Sequence, residues 1–399
     1  MNKAWTAVRS MLANPGLVKA GPALGLFLLG YMRKFRLRER GGHLILHSHL
    51  PPLNGPAYGR FVTEHLVRRR SGPSHAQIAV TNECPQRCDF CYNRDRAGTP
   101  LRKDEILRTI DQLAEAGVFW LGLTGGEPLT SPDLVEIVAR GAARCAVKLF
   151  TTGCGLTPAL ARDLKAAGLF SVSVSLDHWD EAEHDRGRHY PGAYREALRA
   201  IGIFRDAGLD TGASVVLSKA LMERGQTARF LGFLEGLGVD EIWLSEVKPT
   251  IPQLWDEALL LTPDERNELR ALQDRHNRGH GPTLNYLGQF EGPAHFGCTA
   301  GRKMVYVDAF GEVSPCVFVP MTFGNVRTEP LEGILRTMRS ACRFRSRCLI
   351  NEHYGLLRDE AARGLPVGRD RSVELLQRAR GGQPSRFFEL HARRYGPQP

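Results

Sequence analysis

Short apolar runs alternate with charged, amphipathic stretches along the chain from Gln77 onward. Each amphipathic stretch is about 10 to 15 residues long and has the spacing of a helix with one buried face. Strands that are buried on both faces are continuous apolar runs, and their alternation with helices is typical of a parallel sheet with crossover connections. The apolar runs, which we predict to be strands, lie at 77–82, 119–126, 147–153, 170–177, 210–218 and 240–247.

The first amphipathic stretch, 102–117, shows how the helices are expected to end. Ile106, Ile110 and Leu113 recur at helical spacing, and Gly117 lies where a C-terminal cap belongs. Glycines occupy the equivalent position after later stretches, at Gly168, Gly208 and Gly238.

The number of strand-helix units limits the architecture. A closed eightfold barrel needs two units more than the six, and the pattern shows none after Val247. We therefore predict an α/β fold, an open (β/α)6 partial TIM-like barrel with its active site at the carboxyl ends of the strands.

A second, smaller α+β region is expected after the barrel. The rhythm breaks at 248–261, and a helix is predicted to begin with Thr262 as N-cap and Pro263 at its first position. Further on, 303–318 has the pattern of a hairpin in which Gly311 supplies the turn. The expected divisions are an N-terminal extension (1–73), the barrel (74–250), a linker helix with a cysteine-rich domain (251–350) and a tail (351–399).

Composition and charge indicate which kinds of binding partner to expect. Hydrophobic residues make up 42% of the 399 residues, which is typical of a globular protein. The formal net charge is +10, which favours acidic partners by electrostatic steering. The basic residues are spread out and form no stripe interleaved with aromatic residues, so we do not expect nucleic-acid binding.

The nine cysteines indicate metal or redox chemistry rather than a disulfide framework. Their number is odd, and no secretory signal is recognised before them. Reduced thiols are typical of a cytoplasmic protein, which is the location we expect.

The most apolar segment is 20–32, which is flanked by Lys19 and Arg33. It is shorter than the roughly 20 residues that span a bilayer. Two alternatives stay open: a helix packed on the protein's own core, and a helix that makes peripheral contact with a membrane surface.

Cys84, Cys88 and Cys91 follow the first predicted strand with the spacing C-x3-C-x2-C. A loop at that place is able to turn three thiolates toward one point, which suits a soft metal centre. Structural zinc and ordinary electron-transfer [4Fe-4S] clusters take four protein ligands. Three thiolates on a [4Fe-4S] cluster leave one iron open.

With Phe90 at the aromatic position, this motif resembles the C-x3-C-x-aromatic-C hallmark of the radical S-adenosylmethionine (radical SAM) superfamily, and the likeness extends over 74–247. The resemblance implies that an S-adenosylmethionine bound to the open iron is reductively cleaved to a 5′-deoxyadenosyl radical, which takes hydrogen from a substrate. It also implies a low-potential electron donor of the flavodoxin or ferredoxin type. The segment TGGEP resembles the family's motif for the amino group of the cofactor, and it comprises Thr124, Gly125, Gly126, Glu127 and Pro128.

Other cofactor contacts are expected at the ends of later strands. Ser175 and Asp177 lie at the end of the fourth strand, and Thr152 lies at the end of the third. Arg186 resembles an arginine of the family that pairs with the cofactor carboxylate, and a solvated surface charge is the alternative.

A second cysteine set resembles the SPASM and twitch domains of radical SAM maturases, in which C-x9-15-G-x4-C frames an auxiliary cluster. The sequence departs from a full SPASM domain because position 339 is Arg339 and no cysteine follows the last one. We therefore expect one auxiliary [4Fe-4S] cluster, with zinc as the alternative because four thiolates suit it equally. The expected ligands are Cys298, Cys316, Cys342 and Cys348.

The resemblance favours an enzyme that acts on a peptide or natural-product precursor. The apolar segment 20–32 motivates a lipid or isoprenoid substrate as the alternative. A third hypothesis is an iron-sulfur sensor or binding protein that does not turn over S-adenosylmethionine.

Overall fold

The computed structural model describes residues 16–223, 225–360, 363–379 and 382–392. Within them, one large sheet has nine strands in the order β11-β10-β3-β4-β5-β6-β7-β8-β9, and β1 and β2 form a separate pair. The strands are β1 Arg38–Arg40, β2 His43–Ile45, β3 His75–Ala79, β4 Trp120–Thr124, β5 Ala146–Thr151, β6 Leu169–Ser175, β7 Asp210–Leu217, β8 Glu241–Glu246, β9 Thr283–Tyr286, β10 Met304–Val307 and β11 Val313–Ser314.

The six predicted strands are confirmed as β3 to β8, which are parallel and adjacent in chain order. The sheet extends beyond this core by one strand at one edge and by two strands, β10 and β11, at the other. β9 lies parallel beside β8, and β10 lies parallel beside β3. Since β9 and β10 are not neighbours in the sheet order, the barrel is open, as predicted.

Helices connect the strands as the periodicity indicates. The predicted helix after the first cysteine set is Lys103–Glu115, and its apolar positions Ile106, Ile110 and Leu113 are buried. The other α-helices are Gly16–Lys19, Pro22–Met32, Pro56–Phe61, Leu134–Ala142, Pro158–Ala166, Glu181–Arg188, Ala193–Asp206, Gln226–Gly236, Pro263–His276, Leu287–Phe290, Leu331–Ala341, Leu349–His353, Gly355–Arg358, Arg369–Arg378 and Arg386–Ala392. A π-helix spans Val62–Val67, and short 3-10 helices span Pro128–Thr130, Lys219–Met222, Pro252–Leu254 and Glu257–Leu259.

The chain before β3 closes the amino-terminal end of the open barrel. The Ser48 backbone N–H donates to the Glu241 carboxylate at 3.0 Å, and the Ser48 hydroxyl accepts from the buried Lys148 ammonium at 2.5 Å. The indole N–H of Trp120, at the start of β4, donates to the Ser48 carbonyl at 2.7 Å. Because these contacts close the amino-terminal end, the barrel is accessible from the carboxyl ends of its strands.

The apolar segment 20–32 forms the helix Pro22–Met32, which packs on the protein's own core. Leu24 and Tyr31 are buried in a cluster that also contains Phe387 and Phe388 from the helix Arg386–Ala392. Leu26, by contrast, is 70% exposed. Within the described ranges, no helix is long and apolar enough to cross a membrane.

The cysteine-rich region continues the barrel sheet instead of standing apart from it. The predicted hairpin consists of β10 and β11, and Gly311 in its turn has φ +90°, a conformation that favours glycine. Through the pairing of β10 with β3, the hairpin is part of the barrel sheet, and Cys316 follows two residues after the end of β11. The predicted cap of the linker helix is also present, because the Thr262 hydroxyl accepts from the Glu265 N–H at 3.2 Å.

Candidate metal and cofactor site

A cavity of about 1140 Å³ extends from the carboxyl ends of the strands through the barrel to residues at their amino ends, such as His75, and cysteines of both sets line it. The three cysteines of the first loop reach it from the end of β3. Three of the second set reach it from the hairpin and from the segments around it. The thiols that line the cavity belong to Cys84, Cys88, Cys91, Cys298, Cys316 and Cys348.

The TGGEP segment supports the first cysteine loop through its backbone. The Gly126 N–H donates to the Thr81 carbonyl at 2.8 Å, and the Glu127 N–H donates to the Glu83 carbonyl at 2.7 Å. A Cβ atom on Gly125 would lie 2.2 Å from the Thr81 oxygen, and one on Gly126 would lie 2.1 Å from the Glu83 oxygen. Glycine is therefore required at both positions for the loop to sit where it does.

The Glu127 carboxylate is directed into the protein, where it joins the ends of β4 and β5. It accepts from the Thr151 hydroxyl at 2.5 Å, from the Thr152 N–H at 2.6 Å and from the Leu129 N–H at 3.0 Å. The carboxylate is fully buried, and burial raises the pKa of Glu127 while the threonine hydrogen bonds oppose that shift. Other residues of the predicted set line the cavity here, namely Thr124, Gly125, Gly126 and Thr152.

Pro128 is buried and begins the 3-10 turn Pro128–Thr130, away from the cavity lining. Phe90, Ser175 and Asp177 line the cavity. The structure therefore brings together most of the residues expected from the family resemblance.

Asp177 forms a buried ion pair with Arg188. Arg188 is not among the site residues predicted from the sequence. The Arg188 Nε donates to the Asp177 carboxylate at 3.0 Å, and the Val216 N–H donates to its other oxygen at 2.8 Å. Arg188 Nη1 lies 2.9 Å from the Gln86 Oε1 and 3.8 Å from the Cys88 sulfur. Burial acts to lower the pKa of Arg188, but the negative charge of the Asp177 carboxylate opposes burial, and the pKa is raised.

Arg186 occupies a different face of the same helix. Its side chain is 72% exposed and forms an ion pair with Glu183, which matches the surface alternative in the sequence analysis. Arg188 and His184 are four residues apart on the buried face. The four-residue spacing from His184 places Arg188 on the buried face of the helix, and Arg186 does not have that spacing.

The end of this helix also holds the cysteine loop in place. The Arg87 N–H donates to the Arg188 carbonyl at 3.0 Å, and the Asp89 N–H donates to the Gly187 carbonyl at 3.2 Å. Backbone hydrogen bonds therefore fix the loop at two places. TGGEP binds the residues just before Cys84, and the end of the helix binds Arg87 and Asp89, which lie between the cysteines.

The thiols of the first set are neutral in the absence of a metal. Burial raises the pKa of Cys84 to about 12 and the pKa of Cys88 to about 11, and it raises the pKa of Cys91 as well. A bound metal deprotonates such thiols, and the adjacent Arg188 cation favours the resulting thiolates. Three free thiols beside a fixed cation fit an iron-sulfur cluster.

The second cysteine set has its own buried cation. Lys248, just after β8, donates to the Cys348 sulfur at 3.5 Å, to the Glu291 carboxylate at 2.7 Å and to the Glu246 carboxylate at 3.4 Å. Both Lys248 and Glu291 line the cavity.

Cys342 does not line the cavity with the other three cysteines of its set. It is buried against Gly301, where an added Cβ would lie 2.3 Å from the Cys342 sulfur. The structure thus brings three of the four expected auxiliary ligands to the cavity and places the fourth elsewhere.

Aromatic side chains line another part of the same cavity. They come from the amino-terminal helix, from β5 and β8, from the segment before Cys298 and from the last described helix. These residues are Tyr31, Phe150, Trp243, Phe290, Phe296, Phe387 and Phe388.

Two family models match the chain. Residues 78–231 match the radical SAM superfamily, and residues 298–356 match the SPASM model, an iron-sulfur cluster-binding domain. An AdoMet-dependent heme synthase of Methanosarcina barkeri is 27% identical over 72% of this chain and 91% of its own length. A PqqA peptide cyclase of Streptomyces rochei is 30% identical over 69% of this chain and 76% of its own length.

A solved structure has the same fold. The crystal structure of Streptococcus suis SuiB bound to its precursor peptide SuiA superposes with a TM-score of 0.57 at 16% identity. The match covers 81% of this chain and 82% of SuiB. The partial barrel and its cysteine-rich extension thus form an arrangement already known from experiment.

Proposed function

Because the chain belongs to the radical SAM superfamily and carries an iron-sulfur cluster-binding SPASM domain, we propose that it abstracts hydrogen from a peptide or natural-product precursor held in the shared cavity. The observation that carries the proposal is that both cysteine sets line one cavity of about 1140 Å³. A substrate in that space would lie beside cysteines of both sets.

Cys84, Cys88 and Cys91 are proposed to hold a [4Fe-4S] cluster with one open iron. When bound, that cluster supplies the electron that cleaves S-adenosylmethionine to the 5′-deoxyadenosyl radical. The protein's own residues bind and orient the cofactor. The backbone of Gly125 and Gly126, which line the cavity, accommodates its amino-acid part, and Ser175 and Asp177 offer hydrogen-bond partners to its polar groups.

Arg188 is proposed to have two roles in this arrangement. It fixes the Asp177 carboxylate at the edge of the cavity, and its charge offsets the thiolate of Cys88. Arg186 is too exposed to take either role.

Two of the three similar proteins named above support a peptide substrate, whereas the heme synthase does not. The Streptomyces rochei relative is a PqqA peptide cyclase, and SuiB was solved with its precursor peptide. The net charge of +10 favours an acidic peptide and the docking of a small low-potential electron donor of the flavodoxin or ferredoxin type.

A lipid or isoprenoid substrate is a second candidate, favoured by the helix Pro22–Met32. Its Tyr31 lines the cavity, and its Leu26 is 70% exposed on the outside. One helix therefore joins an apolar outer surface to the aromatic part of the cavity, which is the arrangement that an apolar chain entering from a membrane surface needs.

The two candidates are separated by the rate of 5′-deoxyadenosine formation. The iron-loaded enzyme is assayed with S-adenosylmethionine and dithionite, and either the small-peptide fraction or the lipid fraction of a cell extract is added. We expect the peptide fraction to raise the rate and the lipid fraction to leave it unchanged. The opposite result favours the lipid candidate, especially if Leu26→Glu abolishes flotation with anionic liposomes. Without any 5′-deoxyadenosine, the sensor hypothesis is favoured.

A further inference from the structure

We propose that the auxiliary cluster is held by only three thiolates, Cys298, Cys316 and Cys348, and that the Glu291 carboxylate is the ligand of its fourth iron. Cys342 is then a buried structural thiol. The proposal rests on the proposed function only in assuming that the second site holds an iron-sulfur cluster.

The first observation is that the four expected ligands separate into two groups. Cys298, Cys316 and Cys348 share the lining of the cavity, and Cys342 is absent from it. The Cys298 N–H donates to the Arg345 carbonyl at 2.9 Å, as in an antiparallel bridge. Cys342 is three residues before Arg345, so the same register sets it beside Gly301 and not beside Cys298.

The second observation concerns what surrounds each thiol. A Cβ atom on Gly301 would lie 2.3 Å from the Cys342 sulfur and 3.2 Å from the Met338 Cγ, so Cys342 is packed beside an apolar side chain. The Cys348 sulfur, by contrast, accepts from Lys248 at 3.5 Å, and both residues line the cavity. The surroundings of Cys342 therefore differ from those of the thiols in the cavity.

Glu291 is the carboxylate that stands with the three thiols. It lines the cavity, and its Oε2 accepts from Lys248 at 2.7 Å while the same ammonium donates to the Cys348 sulfur at 3.5 Å. Glu291 therefore shares both the cavity and the Lys248 ammonium with this cysteine set, whereas Cys342 does not line that cavity.

The chemistry of this donor set is consistent with a cluster that has one distinct iron. Three soft thiolates suit the cluster, and a carboxylate oxygen is a harder donor that binds a cluster iron less firmly. Lys248 compensates part of the negative charge that such a centre brings into the protein. Because Glu291 lines the cavity, an iron held by its carboxylate would be bound by a weaker ligand in the space proposed for the substrate.

The test uses the full chain with the first cluster removed, so that only the auxiliary centre is observed. In the Cys84→Ala/Cys88→Ala/Cys91→Ala background, we expect about four irons per chain after anaerobic reconstitution. Adding Cys342→Ala or Cys342→Val should leave the iron content and the electron paramagnetic resonance (EPR) spectrum of the reduced cluster unchanged. Adding Cys316→Ala should remove most of the iron. Iron loss in both Cys342 variants equal to that of Cys316→Ala overturns the three-thiolate assignment.

Glu291 is tested in the same background by Glu291→Gln, with Glu246→Gln as the matched control. Both carboxylates accept from Lys248, but only Glu291 is proposed as a ligand. We expect Glu291→Gln to change the Mössbauer parameters of one iron and to shift the EPR signal, while Glu246→Gln changes neither. Identical spectra for Glu291→Gln and the parent, or the same change in both variants, overturn the carboxylate ligand.

Because no step of this test needs S-adenosylmethionine, the radical activity is assessed separately. Zinc in place of iron in the Cys84→Ala/Cys88→Ala/Cys91→Ala protein would overturn the inference. The activity of the first site would then still be tested by the 5′-deoxyadenosine assay.

Discussion

The Arg188 guanidinium lies 3.8 Å from the sulfur of Cys88, while its Nε binds the Asp177 carboxylate. One buried cation thus connects the expected metal site to the expected cofactor site. Lys248 stands in the same relationship to Cys348 in the second set, at 3.5 Å. Each cysteine set is therefore paired with a cation that comes from the barrel.

Arg188→Gln should impair both the stability of the fold and the first site. It leaves the largely buried Asp177 carboxylate without its partner, and breaking a buried ion pair in this way costs about 3–5 kcal/mol. Urea denaturation measures that loss, and we expect S-adenosylmethionine cleavage to fall more than about tenfold, which is about 1.4 kcal/mol in the barrier. Arg186→Gln is the control and should change neither quantity. Equal effects of the two substitutions would show that Arg188 has no special role.

Glu127→Gln tests whether this residue supports the site or binds the cofactor. The carboxylate accepts from two hydroxyls and two backbone N–H groups, and an amide nitrogen at one of those places leaves a buried donor facing a donor. We expect a loss of about 1–3 kcal/mol in the free energy of unfolding and weaker binding of iron at the first site. Unchanged stability together with abolished S-adenosylmethionine binding would instead indicate direct contact with the cofactor.

Gly126→Ala should displace the first cysteine loop. The new methyl group would lie 2.1 Å from the Glu83 carbonyl oxygen, so the backbone just before Cys84 has to move. We expect the iron content to fall from about eight to about four per chain, since the auxiliary cluster is unaffected. Gly187→Ala is the matched control, because nothing lies within 4 Å of its added Cβ. Full iron content in Gly126→Ala would contradict the role of this contact.

Lys303 predicts a specific dependence of stability on pH. Burial lowers the pKa of Lys303 to about 7, so the folded state binds this proton less tightly than the unfolded state does. Where the unfolded chain binds more protons, stability rises with pH. Between pH 7 and about 8, below the ordinary thiol pKa of about 8.5, the free energy of unfolding of the apoprotein should therefore rise more steeply than in Lys303→Met. Parallel curves for the two proteins would show that Lys303 does not titrate in this range.

The sequence pattern was sufficient for the core of the barrel. β3 to β8 were predicted because each combines a continuous apolar run with a following amphipathic helix. β9 and β10 were missed as parts of the same sheet because they have four residues each and lack that crossover pattern. Their place is set by tertiary pairing with β8 and β3, which a local pattern does not contain.

The candidate site was predictable to the extent that it depends on contiguous motifs. Cys84, Cys88 and Cys91 were found by their spacing, and the glycines of TGGEP by their order. Arg188 was missed in favour of Arg186, although the buried face shared with His184 distinguishes them. The separation of Cys342 from its set, and the place of Glu291 beside the set, depend on contacts between distant segments and leave no sequence signal.

The most direct test of the account is reconstitution of the full chain without oxygen, followed by counting of iron and sulfide and an assay of 5′-deoxyadenosine with S-adenosylmethionine and dithionite. We expect about eight irons per chain with product formed, and Cys88→Ala should retain about four irons and form no product. Product formation by Cys88→Ala at the parent rate, or no product from the parent when the first cluster is fully loaded, would contradict it.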